Sequence, residues 1–361
     1  MDGKGRITVE TSSSIFKFLN AVGLNTAFVC RDNNSDNSFV AKHCLMVPIE
    51  LVVRRIATGT FLALNPDIPE GHRFDSPVVE IHIKDDANHD PLWSIETLVK
   101  QKFIINGLLV DEVVVDKILK LAKLVYEILE RVWHSINYQL VDVKVEFGVI
   151  CDENHNKTLV LADIIDNETW RLWPFGDKKQ MVDKQIYRVY KEGEVDDQII
   201  DHVRNVFQNV SNLTQKLFGL QKHKLEFLTK ESIIVLTGSE SCIPLANNFV
   251  KQLETEFSIT DAKIIGITEY DNSSKDLQKL IDRISQSYCQ AVVTIGVQKP
   301  LISTKIAIPV IEYCDNKHIN GFVNQHSEDN TTVLTVAKIL ALNNPLIWAK
   351  LKAQMCCKTL L

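Results

Sequence analysis

Apolar residues at helical spacing open the chain. Ile15, Phe18, Leu19 and Val22 fall on one face of TSSSIFKFLNAVG, residues 11–23, behind serine caps and ahead of Gly23, which predicts a helix there. The period then shortens to two. Thr26–Arg31 and Ser38–Ala41 read as short strands around the polar turn DNNSDN, and Met46–Arg55 is a β-branched run broken by Glu50, Arg54 and Arg55. Val78–Ile83 reads as a further strand and Val113–Ser135 as a long helix. Leu140–Phe147 and Leu159–Ile164 then read as a hairpin across DENHNK. Periodicity fades between Trp173 and Lys191, and a helix follows from Asp196 to Phe218. Helices grouped among paired antiparallel strands imply an α+β domain.

From Ser232 the rhythm changes. SIIVLTGS, AKIIGITEY, AVVTIGV and AIPVIEYC are short β-rich runs, the first three separated by amphipathic helix patterns, and two helices (TVLTVAKILAL and NNPLIWAKLKAQMCC) end the chain. Such alternation predicts βαβ units on a parallel sheet, an α/β three-layer domain. The expected organisation is therefore residues 1–222, a linker at 223–231, and residues 232–361.

Composition excludes several classes. Lys+Arg 40 against Asp+Glu 46 leaves a net charge of −6, which argues against a broad basic surface for nucleic acid. Eight cysteines without a CxxC pair do not form a disulfide framework and suit a reduced compartment. MDGKGRITVE has no apolar signal region, and no run approaches the ~20 apolar residues of a membrane span. A soluble, cytoplasmic protein with no membrane partner is expected.

Three clusters carry candidate chemistry. KDDANHDP (Lys84–Pro91) follows an apolar strand. In VDVKVEFG, period-two alternation puts Asp142, Lys144 and Glu146 on one strand face, with Val141, Val143, Val145 and Phe147 on the other. In LADIIDNETWRLW, Asp163 ends the hairpin strand facing Glu146, and Arg171 lies between Trp170 and Trp173. A solvated acidic turn or an ordinary amphipathic strand explains any one cluster. Together, in order and with compatible placement, they suit a site where lysine meets phosphate and carboxylates hold a hard cation.

MVPIELVVRRIATGT, KDDANHDP, VDVKVEFG and ADIIDNETWRLW resemble the signature segments of SAICAR synthetase (phosphoribosylaminoimidazole-succinocarboxamide synthase). The second half is similar to an AIR carboxylase domain, the order found in the animal bifunctional enzymes of purine biosynthesis. The resemblance implies an ATP-dependent ligase that joins the carboxylate of carboxyaminoimidazole ribotide (CAIR) to the amine of L-aspartate, giving SAICAR, ADP and phosphate. It also implies roles. Glu146 and Asp163 would ligate Mg²⁺, with Asp90 as a further candidate. Lys84 and Lys144 would serve ATP and the transferred phosphate. Arg54, Thr60 and Arg171 would hold the ribotide's phosphate or carboxylate, and Lys184 and Arg188 would make further anion contacts.

The chain also departs from the family pattern. Family members carry an earlier segment with a Gly-Lys-x-Lys loop over the ATP phosphates, echoed here only by DGKGR at residues 2–6, so an N-terminally truncated domain is expected. Where the family has serine and then Lys-Arg, this sequence has Thr60 and then Ala63 and Leu64. In the second half, TGSES retains Gly238, Ser239 and Ser241 of a phosphate loop but has Cys242 in place of aspartate; an ordinary serine cap explains it equally well. IGITEYDNSSKD lacks the family's histidine, IGVQKPLIST replaces a glycine loop, and His318 and His326 read as surface loop residues. Carboxylase activity is therefore expected to be lost. The second domain is expected to serve assembly of a homo-oligomer, with Leu346, Trp348 and Leu351 as buried contacts. The alternative is a non-catalytic paralogue or incomplete chain that binds nucleotide or ribotide, or co-assembles with a complete enzyme.

Overall fold

The computed structural model describes residues 3–188, 190, 196–218, 233–259, 262–266, 279–282, 284, 289–296, 308–313, 330–342 and 344–357. The chain divides into two compact units, Met1–Gln221 with Lys352–Leu361, and Lys222–Leu351. The expected linker, 223–231, lies outside the described residues, as do His318 and His326.

The first unit is built on an antiparallel sheet. Its strands run in the order Lys157–Ala162, Tyr138–Cys151, Ile49–Ile56, Arg73–Ile83 and Leu92–Trp93, and Trp170–Pro174 and Leu45–Met46 also pair with Tyr138–Cys151. Alternation decides which side each residue serves. Ile49, Leu51, Val53, Val141, Val143 and Val145 are buried, and the long helix Glu112–His134 packs against these strands. That helix starts where Asp111 accepts from the Val114 N–H at 3.0 Å, and Arg131 and His134 sit in its last turn, complementing the helix dipole. The other face is polar. Cross-strand register sets Arg54 opposite Asp142, Val52 opposite Lys144, His82 opposite Glu50, and Ala162 opposite Glu146.

The first helix corrects the reading of the serine run. It spans Lys4–Ala21, its N-cap is the left-handed Gly3, and Ser12 and Ser13 are buried in its interior. Ser12 Oγ donates to the Ile165 carbonyl at 3.1 Å, so these serines join the helix to a neighbouring loop rather than starting it. Packing extends the helix: Ile7 clusters with Val203 and Phe207 of the helix Asp197–Phe218. The stretch after Trp173, without periodicity in the sequence, is ordered by aspartates. Asp177 caps the turn Lys178–Gln180, and Asp183 accepts from the Leu172 and Gln185 N–H groups ahead of the short helix Gln185–Arg188.

In the second unit, Ile233–Thr237, Ala262–Gly266, Ala291–Ile295 and Val310–Tyr313 form a four-stranded parallel sheet, in the order second, first, third, fourth. Burial on both faces accounts for the continuous apolar runs. One face meets Phe249, Leu253, Val336, Leu340, Ile347 and Leu351; the other meets Leu280 and Ile284. Leu351 is thus buried in this unit's own core, Trp348 packs against that core, and Leu346 is half-buried.

Candidate functional site

Lys144 stands at the centre of the polar face. Its ammonium donates to Glu50 at 3.0 Å and to Glu146 at 2.9 Å, with an Asp163 oxygen at 3.6 Å. Lys84, just past the end of its strand, donates to the other Glu146 oxygen at 2.6 Å. Glu146 is 1% exposed and takes one ammonium on each oxygen, the strong charge-assisted arrangement. Asp163 follows the Lys157–Ala162 strand in a left-handed conformation (φ 59°) and hydrogen-bonds Glu146. Burial pushes the Asp163 carboxyl up to about 6, reinforced by the hydrogen bond and charge of Glu146. Burial also opposes the charge on Glu146, but Lys84, Lys144 and Asp163 together hold its carboxyl below the ordinary range. The same contacts outweigh burial at Lys144 and Lys84 and raise both ammonium groups.

A second cluster continues along these strands. Arg54, 3% exposed, donates to Glu80 at 2.5 Å, to Asp142 at 3.1 Å and to the Thr58 carbonyl at 3.3 Å. Arg171 donates to the same Asp142 oxygen from the Trp170–Pro174 strand. Gly59 has φ +66°, and a Cβ there would lie 2.7 Å from Arg171 Nη2, so glycine alone fits. Thr60 opens the next short helix and is exposed. Arg54 is thus committed to carboxylates of the frame, and Arg171, 16% exposed, is the more open guanidinium.

Lys184 and Arg188 sit in a third group. Lys184 donates to the Glu168 carbonyl at 2.6 Å, Tyr187 donates to the Glu168 carboxylate at 2.7 Å, and Lys4 lies 2.8 Å from it. Burial lowers the Lys184 ammonium, and Arg188 is exposed. Asp183, which positions this turn, is fully buried, and burial pushes its carboxyl up to about 6.

Asp90 lies in the loop after the strand Arg73–Ile83. It is left-handed (φ 48°), and its Oδ1 accepts from the Asp85 N–H at 2.8 Å, closing its own loop. Among the described residues no group of three or more His, Cys, Asp or Glu is arranged to hold a metal ion. Glu146 and Asp163 are nonetheless neighbouring hard-oxygen donors beside two ammonium groups, and one or two carboxylates completed by phosphate oxygens are what Mg²⁺ takes, so the pair fits it.

The sequence reading missed Glu80 and did not give Glu50 a role. Glu50 shares the even-numbered face of its strand with Arg54, a local signal; Glu80 becomes Arg54's partner only through cross-strand register. It also missed a cavity of about 270 Å³ whose lining includes Phe16, Phe28, Phe39, Met46, Ala162 and Asp163. The three phenylalanine rings pack in sequence, with Phe16–Phe28 stacked at 5.9 Å. An apolar pocket that reaches Asp163 has the character of a site for a planar base whose phosphates meet the lysines.

In the second unit, Gly238 to Ser241 follow the first strand. Ser239 and Ser241 hydroxyls hydrogen-bond each other at 2.7 Å, and Ser239 lies 3.3 Å from Cys242 Sγ. This loop and Gly296 lie beyond the carboxyl ends of the adjacent first and third strands, where strand order reverses, the usual place for a ligand crevice in such sheets. The IGITEYDNSSKD and IGVQKPLIST replacements fall largely outside the described residues.

The SAICAR synthetase family model matches residues 1–206. The chain is 35% identical to a bifunctional phosphoribosylaminoimidazole carboxylase/phosphoribosylaminoimidazole succinocarboxamide synthetase of Drosophila melanogaster, across 98% of this chain and 82% of that protein. It is 39% identical to a phosphoribosylaminoimidazole-succinocarboxamide synthase of Herpetosiphon aurantiacus, across 60% of this chain and 81% of that one. Among solved structures, the synthase of Ehrlichia chaffeensis superposes with a TM-score of 0.51 at 27% identity, covering 60% of this chain and 83% of that chain. A SAICAR synthetase in complex with ADP superposes with a TM-score of 0.50 at 27% identity, covering 60% of this chain and 82% of its own. The polar sheet face, its signature segments in order and the family match converge: the chain belongs to the SAICAR synthetase family.

Proposed function

We propose that this chain ligates CAIR to L-aspartate at the expense of ATP in purine biosynthesis. The observation that carries this reading is the cluster of Lys84, Lys144, Glu146 and Asp163, of which Asp163 also lines the apolar cavity. The base of ATP occupies that cavity and the phosphates lie toward the two ammonium groups. A CAIR carboxylate oxygen attacks the γ-phosphorus, the bond to the β-bridging oxygen breaks, and ADP leaves. The aspartate amine then attacks the resulting acyl phosphate, the amide C–N bond forms, and phosphate departs carrying the former carboxylate oxygen. Lys84 and Lys144 balance the charge that moves with the phosphoryl group, and a preorganised, partly buried ammonium does so without reorganising water. Mg²⁺, held by Glu146 and Asp163, would add further neutralisation of the phosphates when bound. Arg171 and Thr60 face the ribotide's anionic groups, Arg54 and Asp142 hold Arg171 in place, and Lys184 and Arg188 contribute positive charge nearby.

The second unit is assigned no carboxylase chemistry. Its phosphate loop has Cys242 where aspartate is expected, and no histidine stands at the family's proton-handling segment. Assembly into a homo-oligomer and a cytoplasmic location accompany this reading, supported by the family resemblance; among the described residues no helix is long and apolar enough to cross a membrane. A second reading, ligand binding without turnover, draws on one observation: Ala63 and an exposed Leu64 stand where the family places two cations. The mechanism is tested with CAIR labelled with ¹⁸O in its carboxylate. Phosphate released with one ¹⁸O supports the acyl phosphate route; unlabelled phosphate accompanying SAICAR formation refutes it.

A further inference from the structure

Behind the strand pair that carries Glu146 and leads to Asp163 lies another cavity, of about 320 Å³. Leu159 and Leu161 line it, whereas the alternate residues Val160 and Ala162 serve the opposite face. Leu161 is paired with Phe147, the neighbour of Glu146, so the cavity backs directly onto the strands of the candidate active site. Its floor is apolar: Leu24, Val125, Phe147, Leu159 and Leu161 are all buried. Its rim is cationic, with Lys117 from the long helix and Lys157 from the hairpin strand, and no carboxylate lines it.

Several other lysines of this unit stand in ion pairs. Lys84 and Lys144 are neutralised by Glu146, Lys4 by Glu168, and Lys120 by Asp116. Lys157 instead donates to the Gly107 carbonyl at 2.5 Å, which orients the ammonium and leaves its charge uncompensated. The hold is built in: Gly107 is left-handed (φ +78°), and a Cβ there would lie 3.2 Å from Lys157 Cε. Lys117 has no ion-pair or hydrogen-bond partner among the described residues. Two cations without carboxylate partners thus stand over an apolar floor, the charge and polarity that complement an amphipathic anion.

We propose that this cavity binds a small amphipathic anion, with an apolar or aromatic body on the floor and an oxyanion headgroup between Lys117 and Lys157. Its size, at the lower end of the roughly 300–1,000 Å³ of ligand pockets, selects a ligand smaller than a nucleotide. The site is separate from the proposed ATP cavity and does not depend on ligase activity.

The test is isothermal titration of the full chain with 4-phenylbutyrate, phenethyl phosphate and the neutral 4-phenylbutanol, each with and without excess Mg-ADP. At least one anion binds saturably at one site, at least tenfold more tightly than the alcohol, and Mg-ADP does not displace it. Which anion binds tighter identifies the headgroup as carboxylate or phosphate. The double variant Lys117→Gln/Lys157→Gln loses at least tenfold in anion affinity, and Leu121→Trp, which fills the cavity from its half-buried wall, abolishes binding of all three probes. Lys120→Gln on the same helix changes nothing. Thermal unfolding of each variant confirms an intact fold. Equal binding of acid and alcohol, undiminished binding by the double variant, displacement by Mg-ADP, or no saturable binding by either anion overturns the proposal.

Discussion

Asp142 offers the sharpest single-residue test of the frame beneath the site. One of its oxygens accepts from both Arg54 and Arg171, and Asp142 and Arg54 are 4% and 3% exposed, so solvent screens little of the interaction. Asp142→Asn removes the charge while keeping the shape. Arg54 then retains Glu80 and the Thr58 carbonyl, whereas Arg171 loses the charge partner that aims it past Gly59. Breaking a buried pair by removing one partner costs about 3–5 kcal/mol. Retention of Glu80 by Arg54 and the partial exposure of Arg171 place this case at about 2–4 kcal/mol. At about 2–4 °C per kcal/mol for a unit of this size, Tm falls by about 4–16 °C. Urea unfolding followed by tryptophan fluorescence reads the stability loss, with Trp170 and Trp173 on the neighbouring strand among the reporters. The KM for CAIR rises more than kcat falls. A variant within 1 kcal/mol of the parent, a limit set by the ordinary size of a surface pair, would refute the claim that Asp142 anchors both guanidiniums.

Other substitutions separate the remaining parts of the account. Glu146→Gln and Asp163→Asn are each expected to abolish metal-dependent ATP use while far-ultraviolet circular dichroism stays unchanged; normal turnover in both would refute the metal assignment. Gly59→Ala is expected to raise the KM for CAIR at least tenfold, because its methyl group meets Arg171 Nη2; an unchanged KM would show that Arg171 does not touch the substrate. Asp183 gives a pH signature. Its folded carboxyl titrates at about 6 against an ordinary 3.8, so the folded state binds the proton more tightly. Its contribution is most favourable below the unfolded value and is lost as pH rises toward 6. Relative to Asp183→Asn, the parent should lose about 1–1.5 kcal/mol of stability between pH 5 and 7.5; a difference independent of pH would contradict the shift.

The sequence exposed what is local and hid what depends on register. Alternation in VDVKVEFG was sufficient to place Asp142, Lys144 and Glu146 on one face, because a strand turns every second residue the same way. The parallel sheet was equally legible, since strands buried on both faces read as unbroken apolar runs. Glu80 was not, because nothing near it in the chain announces that Arg54 lies across the sheet. Nor was the apolar cavity, which gathers Phe16 from a helix, Phe28 and Phe39 from a small hairpin, and Met46 from another strand. The serines at 12–14 misled because helix caps and buried helix serines have the same composition. Only the packing of Ile7 against Val203 and Phe207 shows that the helix starts earlier.

The central claim is tested most directly by ADP release from the purified chain with Mg-ATP, CAIR and L-aspartate, each substrate omitted in turn. The account predicts SAICAR-coupled ADP formation that requires all three. A folded, monodisperse preparation that binds ATP yet releases no ADP in the complete mixture would contradict it, leaving a protein that keeps the family's site as a receptor and not as a catalyst.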